Sequence, residues 1–108
     1  MDQPFVSRTF AVGEQEVVCK FQRPVPGDHD YRCDYQIAFP SRTRAFHGFG
    51  IDEVQALLAA MQNAHAYILT SDEYQNQGLM WLGMRELGLP LAGGLSTEDF
   101  PKSPRNNR

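Results

Sequence analysis

An α+β fold, an antiparallel meander of about four strands with one long amphipathic helix packed on one face, follows from three stretches of the chain. Residues 31–39, YRCDYQIAF, alternate apolar and polar side chains, the period of an antiparallel strand with one buried face. Residues 16–21, EVVCKF, repeat that alternation over a shorter run. Residues 50–70, GIDEVQALLAAMQNAHAYILT, then change to three- and four-residue spacing, the period of a helix.

Residues 5–12, FVSRTFAV, open the meander as a strand of β-branched and aromatic residues, and Gly13-Glu14 turns the chain into the second strand. Residues 23–30, RPVPGDHD, hold two prolines and a glycine and read as a loop. With that loop centred near Pro26, Cys19 would face Cys33, Phe21 would face Tyr31, and Val17 would face Tyr35. After Pro40-Ser41 a shorter strand runs from Arg42 to His47. A two-residue turn would set Arg42 and Arg44 beside Phe39 and Ile37, where two arginines would need partners. A three-residue turn sets Thr43 and Ala45 there instead, and that register is the one expected.

The helix should begin at Glu53, with Asp52 as N-cap and Gln55 reaching back in a capping-box manner. It should end near Thr70, with Val54, Leu57, Leu58, Met61, His65 and Ile68 as its buried stripe. On that basis Leu58→Asp is expected to prevent folding. Ser71 to Gly78 carries cap signals for one more helical turn. Residues 79–91, LMWLGMRELGLPL, are apolar but broken by Gly83, Gly88 and Pro90, so a short extended segment around Met80–Leu82 and a packed loop are expected. The domain is expected to span residues 1–95, with 96–108 as a flexible tail that has little to bury.

At 108 residues the chain suits one domain, long enough for a core without disulfides or metal. No apolar run approaches the roughly 20 residues a membrane span needs, and the N-terminal stretch lacks the pattern of a signal peptide. A cytoplasmic location and no membrane partner are expected. Residues 1–95 carry seven Lys or Arg and eleven Asp or Glu. Such an acidic body disfavours nucleic-acid binding, which needs clustered cations.

Three segments carry a resemblance: Tyr31-x-Cys33-x-Tyr35-Gln36-Ile37, Gly50-Ile51-Asp52-x-x-Gln55-Ala56-Leu57, and Gly78-Leu79-x-Trp81-Leu82-Gly83 with Leu87-Gly88-Leu89-Pro90. Together they resemble a family of small bacterial domains of unknown function. The resemblance implies strands, then one helix, then a Trp-Leu-Gly segment. It implies no activity, cofactor or catalytic residue. Stand-alone domains of this size and style also resemble the immunity proteins of polymorphic-toxin systems.

The chemistry-bearing residues point away from catalysis. Facing thiols at Cys19 and Cys33 could form a disulfide or half a metal site, but reduced thiols in an apolar core are the expectation. Asp28-His29-Asp30 is the densest cluster of ligand types, in a context of ordinary turn chemistry. His65 on the helix stripe suits the rim of a core, with one nitrogen satisfied. No phosphate-binding loop, nucleophile elbow or paired CxxC occurs. No cofactor and no metal are expected.

The expected function is therefore non-enzymatic: an immunity-type inhibitor that meets the basic surface of a cognate toxin. Its expected contacts are the carboxylates of Asp28, Asp30, Glu14, Glu16, Asp72 and Glu73, with Trp81 as an aromatic anchor. The alternatives are a small-molecule or metal-binding enzyme using His29, His47 and the Asp28/Asp30 pair, and a structural or regulatory partner domain.

Overall fold

A computed structural model of the chain describes residues 3–93. Strands β1 (Val6–Val12), β2 (Gln15–Phe21), β3 (Val25–Pro26), β4 (Tyr31–Ala38) and β5 (Thr43–Gly50) precede helix α1 (Glu53–Leu69) and the short helix α2 (Asp72–Asn76). The strands form one antiparallel sheet. β1 flanks β2, β2 and β3 lie end to end along one side of β4, and β5 lies along its other side. The fold class is as the periodicities require. No helix among the described residues is long and apolar enough to cross a membrane. The limit at residue 95 and the tail at 96–108 lie outside the described residues.

The fifth strand is a short one that the two prolines conceal. Val25 and Pro26 pair with Arg32 and Tyr31, one residue out of phase with the β2–β4 pairing, so the chain bulges at Arg23-Pro24. The hairpin closes through the Gly27 N–H donating to the Asp30 carbonyl at 2.6 Å. Its centre therefore lies between Asp28 and His29, not at Pro26. Cys19 consequently sits opposite Ile37, and Cys33 opposite Gly48. The slip from the expected pairing is an even number of residues, so both thiols stay on the inner face. They are free and buried.

Burial pushes the thiol pKa of Cys19 up to about 12 and that of Cys33 to about 11. At neutral pH neither is a nucleophile. Iodoacetamide at about pH 8 should therefore leave the native protein unmodified and label both residues once urea unfolds it. The sign of the alkaline effect follows from linkage. The unfolded chain loses these protons above about pH 9 while the fold retains them, so stability should fall as pH rises from there towards 11–12. The urea midpoint across that range measures it, and Cys19→Ala should flatten the slope.

The β4–β5 turn also differs from expectation. The Phe39 N–H donates to the Arg42 carbonyl at 2.8 Å across a two-residue Pro40-Ser41 turn, and Arg44 lies opposite Ile37. The arginines, not Thr43 and Ala45, take the helix-facing positions. Their partners come from distant parts of the chain. Glu73 receives Arg42 in two hydrogen bonds of 2.9 and 3.2 Å, while Phe39 lies 4.0 Å beneath the same guanidinium. Arg44 lies 4.8 Å over the Tyr67 ring.

Helix α1 starts where its cap signals say. Asp52 accepts from the Gln55 N–H at 2.8 Å, and the Gln55 side chain accepts from the Ile51 N–H at 2.7 Å. The buried face keeps His65 and Ile68 of the expected stripe, with Leu57 and Met61 packed partly buried against the core, but it is centred on alanines and excludes Val54 and Leu58. Ala56, Ala60, Ala64, His65, Ile68 and Leu69 are buried, whereas Val54 is 74% exposed and Leu58 42%. The reason is the strand beneath. Gly48 and Gly50 of β5 admit the backbone of α1 so closely that a Cβ on Gly48 would lie 2.8 Å from the Ala59 carbonyl carbon and 2.9 Å from the Ala60 Cα. Only alanines fit that contact, so the larger side chains turn to the flank. Leu58→Asp should therefore stay folded, with a stability change within about 1 kcal/mol, because the carboxylate meets water. A thermal melt of the variant checks this.

The remaining inner face, on β1 and β2, is covered by residues 79–91. Leu79 and Leu87 are fully buried. Met80 exchanges backbone hydrogen bonds of 2.8 and 2.9 Å with Ala11. Arg8 of β1 donates to the carbonyls of Leu87 and Gly88 at 2.7 and 3.0 Å.

Candidate protein-docking surface

The strand register gives the two ends of the sheet different chemistry. At one end, the Gly27–Asp30 turn presents the exposed carboxylates of Asp28 and Asp30. Tyr31 pairs with Gly50, so the exit of β5 and the start of α1 stand beside that turn. Asp52 and Glu53, both exposed, therefore add two carboxylates to the same end. Between and around them lie apolar side chains in water: Val25, Ile51 (80% exposed) and Val54. A shallow cleft adjoins them, lined by Phe5, Arg23, Pro24, Glu53, Val54 and Leu57. Its Phe5 ring lies 4.5 Å beneath the Arg23 guanidinium.

An apolar surface rimmed mostly by carboxylates, with Arg23 over Phe5 in the cleft, suits a protein partner. Exposed aliphatic groups supply area to be buried, and the carboxylates steer a cationic partner towards it.

The carboxylates expected from the sequence do not form one surface. Glu14 and Glu16 are exposed at the β1–β2 turn, which lies at the opposite end of the sheet from Asp28 and Asp30, because β2 and β3 run the length between the two turns. Asp72 and Glu73 belong to that far end too, beside the Pro40-Ser41 turn. Glu73 is not an exposed carboxylate: it is 4% exposed and engaged by Arg42. Asp72 takes side-chain hydrogen bonds from Asn76 and Gln77.

Trp81 is half-buried, with the Arg8 guanidinium 3.9 Å over its ring. Gly88, at φ +69°, lies against the same ring beside the guanidinium: a Cβ there would come within 2.9 Å of the indole and 2.8 Å of Arg8 Nη1. The indole is thus packed into the 79–91 cover.

The histidines do not converge. His47 pairs with Asp34 on β5 and lies between Phe46 and Phe49, each ring centroid 4.8 Å away. His29 is at the tip of the turn, about 16 Å further along the strand at about 3.3 Å per residue. His65 is buried at the edge of the core, as its position on the helix suggests. Its Nδ1 is 3.1 Å from the Pro90 carbonyl, which makes that nitrogen the donor, and its Nε2 has no partner. Burial lowers its pKa. Among the described residues no group of three or more His, Cys, Asp or Glu is placed to hold a metal ion.

Sequence reasoning missed Val25, Ile51 and Val54 as surface residues, having given Val54 to the core. The signal was present: Gly48-x-Gly50 before a helix with Ala56, Ala60 and Ala64 at i, i+4 spacing marks small-on-small packing, which leaves the large neighbours outside.

The fold and its surface define a small two-layer α+β domain with an apolar, acid-rimmed end. The chain belongs to a family described as a domain of unknown function, DUF6968, whose match covers residues 6–91, from the first residue of β1 to the end of the 79–91 cover. No curated protein and no solved structure matches it.

Proposed function

We propose that this domain is a non-catalytic binding protein of the immunity type, acting in the cytoplasm, whose acidic end covers a basic site on a cognate toxin. One observation carries the reading: aliphatic side chains as large as Ile51 and Val54 stand in water beside four carboxylates at one end of the sheet. A contiguous exposed apolar patch rimmed by polar side chains is the mark of a protein-interaction site. The mildly acidic composition agrees with a cationic partner.

The test is association kinetics with the product of the adjacent gene at two salt concentrations. Asp28→Asn combined with Asp30→Asn should slow association about fivefold at low salt and weaken the salt dependence. The melting temperature should stay unchanged, since both carboxylates are exposed in a turn. His29→Ala should change binding by no more than about 1 kcal/mol. Wild-type association rates and salt slope in the double variant would move the contact elsewhere. Absence of binding by any adjacent gene product would remove the toxin reading.

A further inference from the structure

The two edges of the sheet are finished differently. The β1 edge is closed by the Met80 bridge to Ala11 and by the Arg8 contacts to Leu87 and Gly88. The β5 edge carries no strand among the described residues. The Phe39–Arg42 hydrogen bond sets the phase of the β4–β5 ladder. Arg44, Phe46, Gly48 and Gly50 direct their backbone groups to β4, and Thr43, Ala45, His47 and Phe49 direct theirs outward. Of these outward groups, the His47 carbonyl takes one long side-chain bond, 3.4 Å from Asn63.

Edge strands are ordinarily blunted by charge, proline or a covering loop. Residues 45–50, AFHGFG, have none of these, and Phe46 and Phe49 are 49% and 52% exposed.

We infer that the chain pairs with a second copy of itself along this edge, the two β5 strands running antiparallel about a two-fold axis at His47. In that register Phe46 lies opposite Gly48 of the second copy, Phe49 opposite Ala45, and Arg44 opposite Gly50. On the outer face the large Phe49 meets the small Ala45, while the inner face over Gly48 and Gly50 is already taken by the α1 backbone.

Charge complements shape. β5 carries Arg44 next to its first residue, just after Arg42, and leads into Asp52 and Glu53. Antiparallel pairing therefore brings the basic start of one strand to the acidic exit of the other, twice by symmetry. Arg44 has no carboxylate partner among the described residues, and the neighbouring Asp52 and Glu53 of the second copy supply one. A register centred on Phe46 would oppose ring to ring and draw Arg44 away from those carboxylates. The sheet then continues across the axis, with the two α1 helices on the same face.

Sedimentation velocity on the full chain, alone, tests this from about 1 to about 300 μM. No toxin enters the measurement, so its outcome is independent of the proposed function. The wild type should show a concentration-dependent dimer that weakens at high salt. Ala45→Lys places a long cation against Phe49 of the second copy at an exposed position. It should weaken dimerisation at least tenfold with an unchanged thermal melt. Arg44→Glu should weaken it too, and Arg44→Glu with Glu53→Arg should restore it. A wild-type monomer across the whole range, or an Ala45→Lys dimer of wild-type affinity, overturns the pairing. Failure of the charge swap to restore association overturns the His47-centred register.

Discussion

Gly48→Ala should severely destabilise the native fold, although it adds a single methyl group. The new Cβ would stand 2.8 Å from the carbonyl carbon of Ala59 and 2.9 Å from the Ala60 Cα, inside van der Waals distance of backbone that cannot rotate away. Relief requires α1 to lift from β5, which breaks the Ala56–Ala60–Ala64 contact along its length. Overpacking that flexible side chains absorb costs about 1–3 kcal/mol. Here backbone meets backbone, so the cost should exceed about 4 kcal/mol, a large share of the roughly 5–15 kcal/mol available to a small domain. Urea denaturation and soluble yield measure it. Gly13→Ala is a control, because no atom lies within 4 Å of the added methyl and its φ of +60° brings only local strain. A Gly48→Ala variant with a wild-type midpoint would mean that α1 does not rest on β5.

Arg42→Met should cost about 2–3 kcal/mol, roughly 10–20 °C in melting temperature for a domain of this size. The Glu73 side chain is 5% exposed and its two oxygens take both guanidinium bonds. Removing Arg42 leaves a buried carboxylate without its counter-charge, the expensive way to break a buried pair. The figure is set below that of a fully buried pair because the Arg42 side chain is itself 40% exposed. Combining Arg42→Met with Glu73→Leu removes both charges and should recover most of the loss, whereas Glu73→Leu alone should fall between. The double-mutant cycle decides between this account and one in which the Phe39–guanidinium stacking dominates. Full additivity of the two single changes would favour the stacking.

The elements that were legible are those whose evidence is local. Alternation across Tyr31–Phe39 depends only on adjacent residues facing opposite sides of a pleat, and the observed strand Tyr31–Ala38 agrees. Asp52 as N-cap is likewise a contact between residues three apart. The elements misread are those that depend on a partner distant in sequence. The β4–β5 register sets two arginines on the inner face, and their partners Glu73 and Tyr67 lie more than twenty residues further along the chain, beyond the reach of any local pattern. Glu73 itself looked like a surface carboxylate for the same reason. Of the expected contacts, Asp28 and Asp30 share one end of the sheet, while Glu14, Glu16 and Asp72 stand at the other.

The sequence by itself determined the α+β class, the order of strands and helix, the helix start at Asp52–Glu53, and which face of each central strand turns inward. These follow from the period-2 and period-3.6 patterns and the cap chemistry. Only the tertiary structure decided which side of α1 is buried, because helix–sheet distance sets how large a contact residue can be. Two glycines on β5 bring the helix in to alanine range, which overrides hydrophobicity as a guide and turns Val54 and Leu58 to the solvent. The β4–β5 register, which pairs Tyr31 with Gly50, likewise sets Ile51, Asp52 and Glu53 beside the Asp28–Asp30 turn, a neighbourhood no local pattern shows.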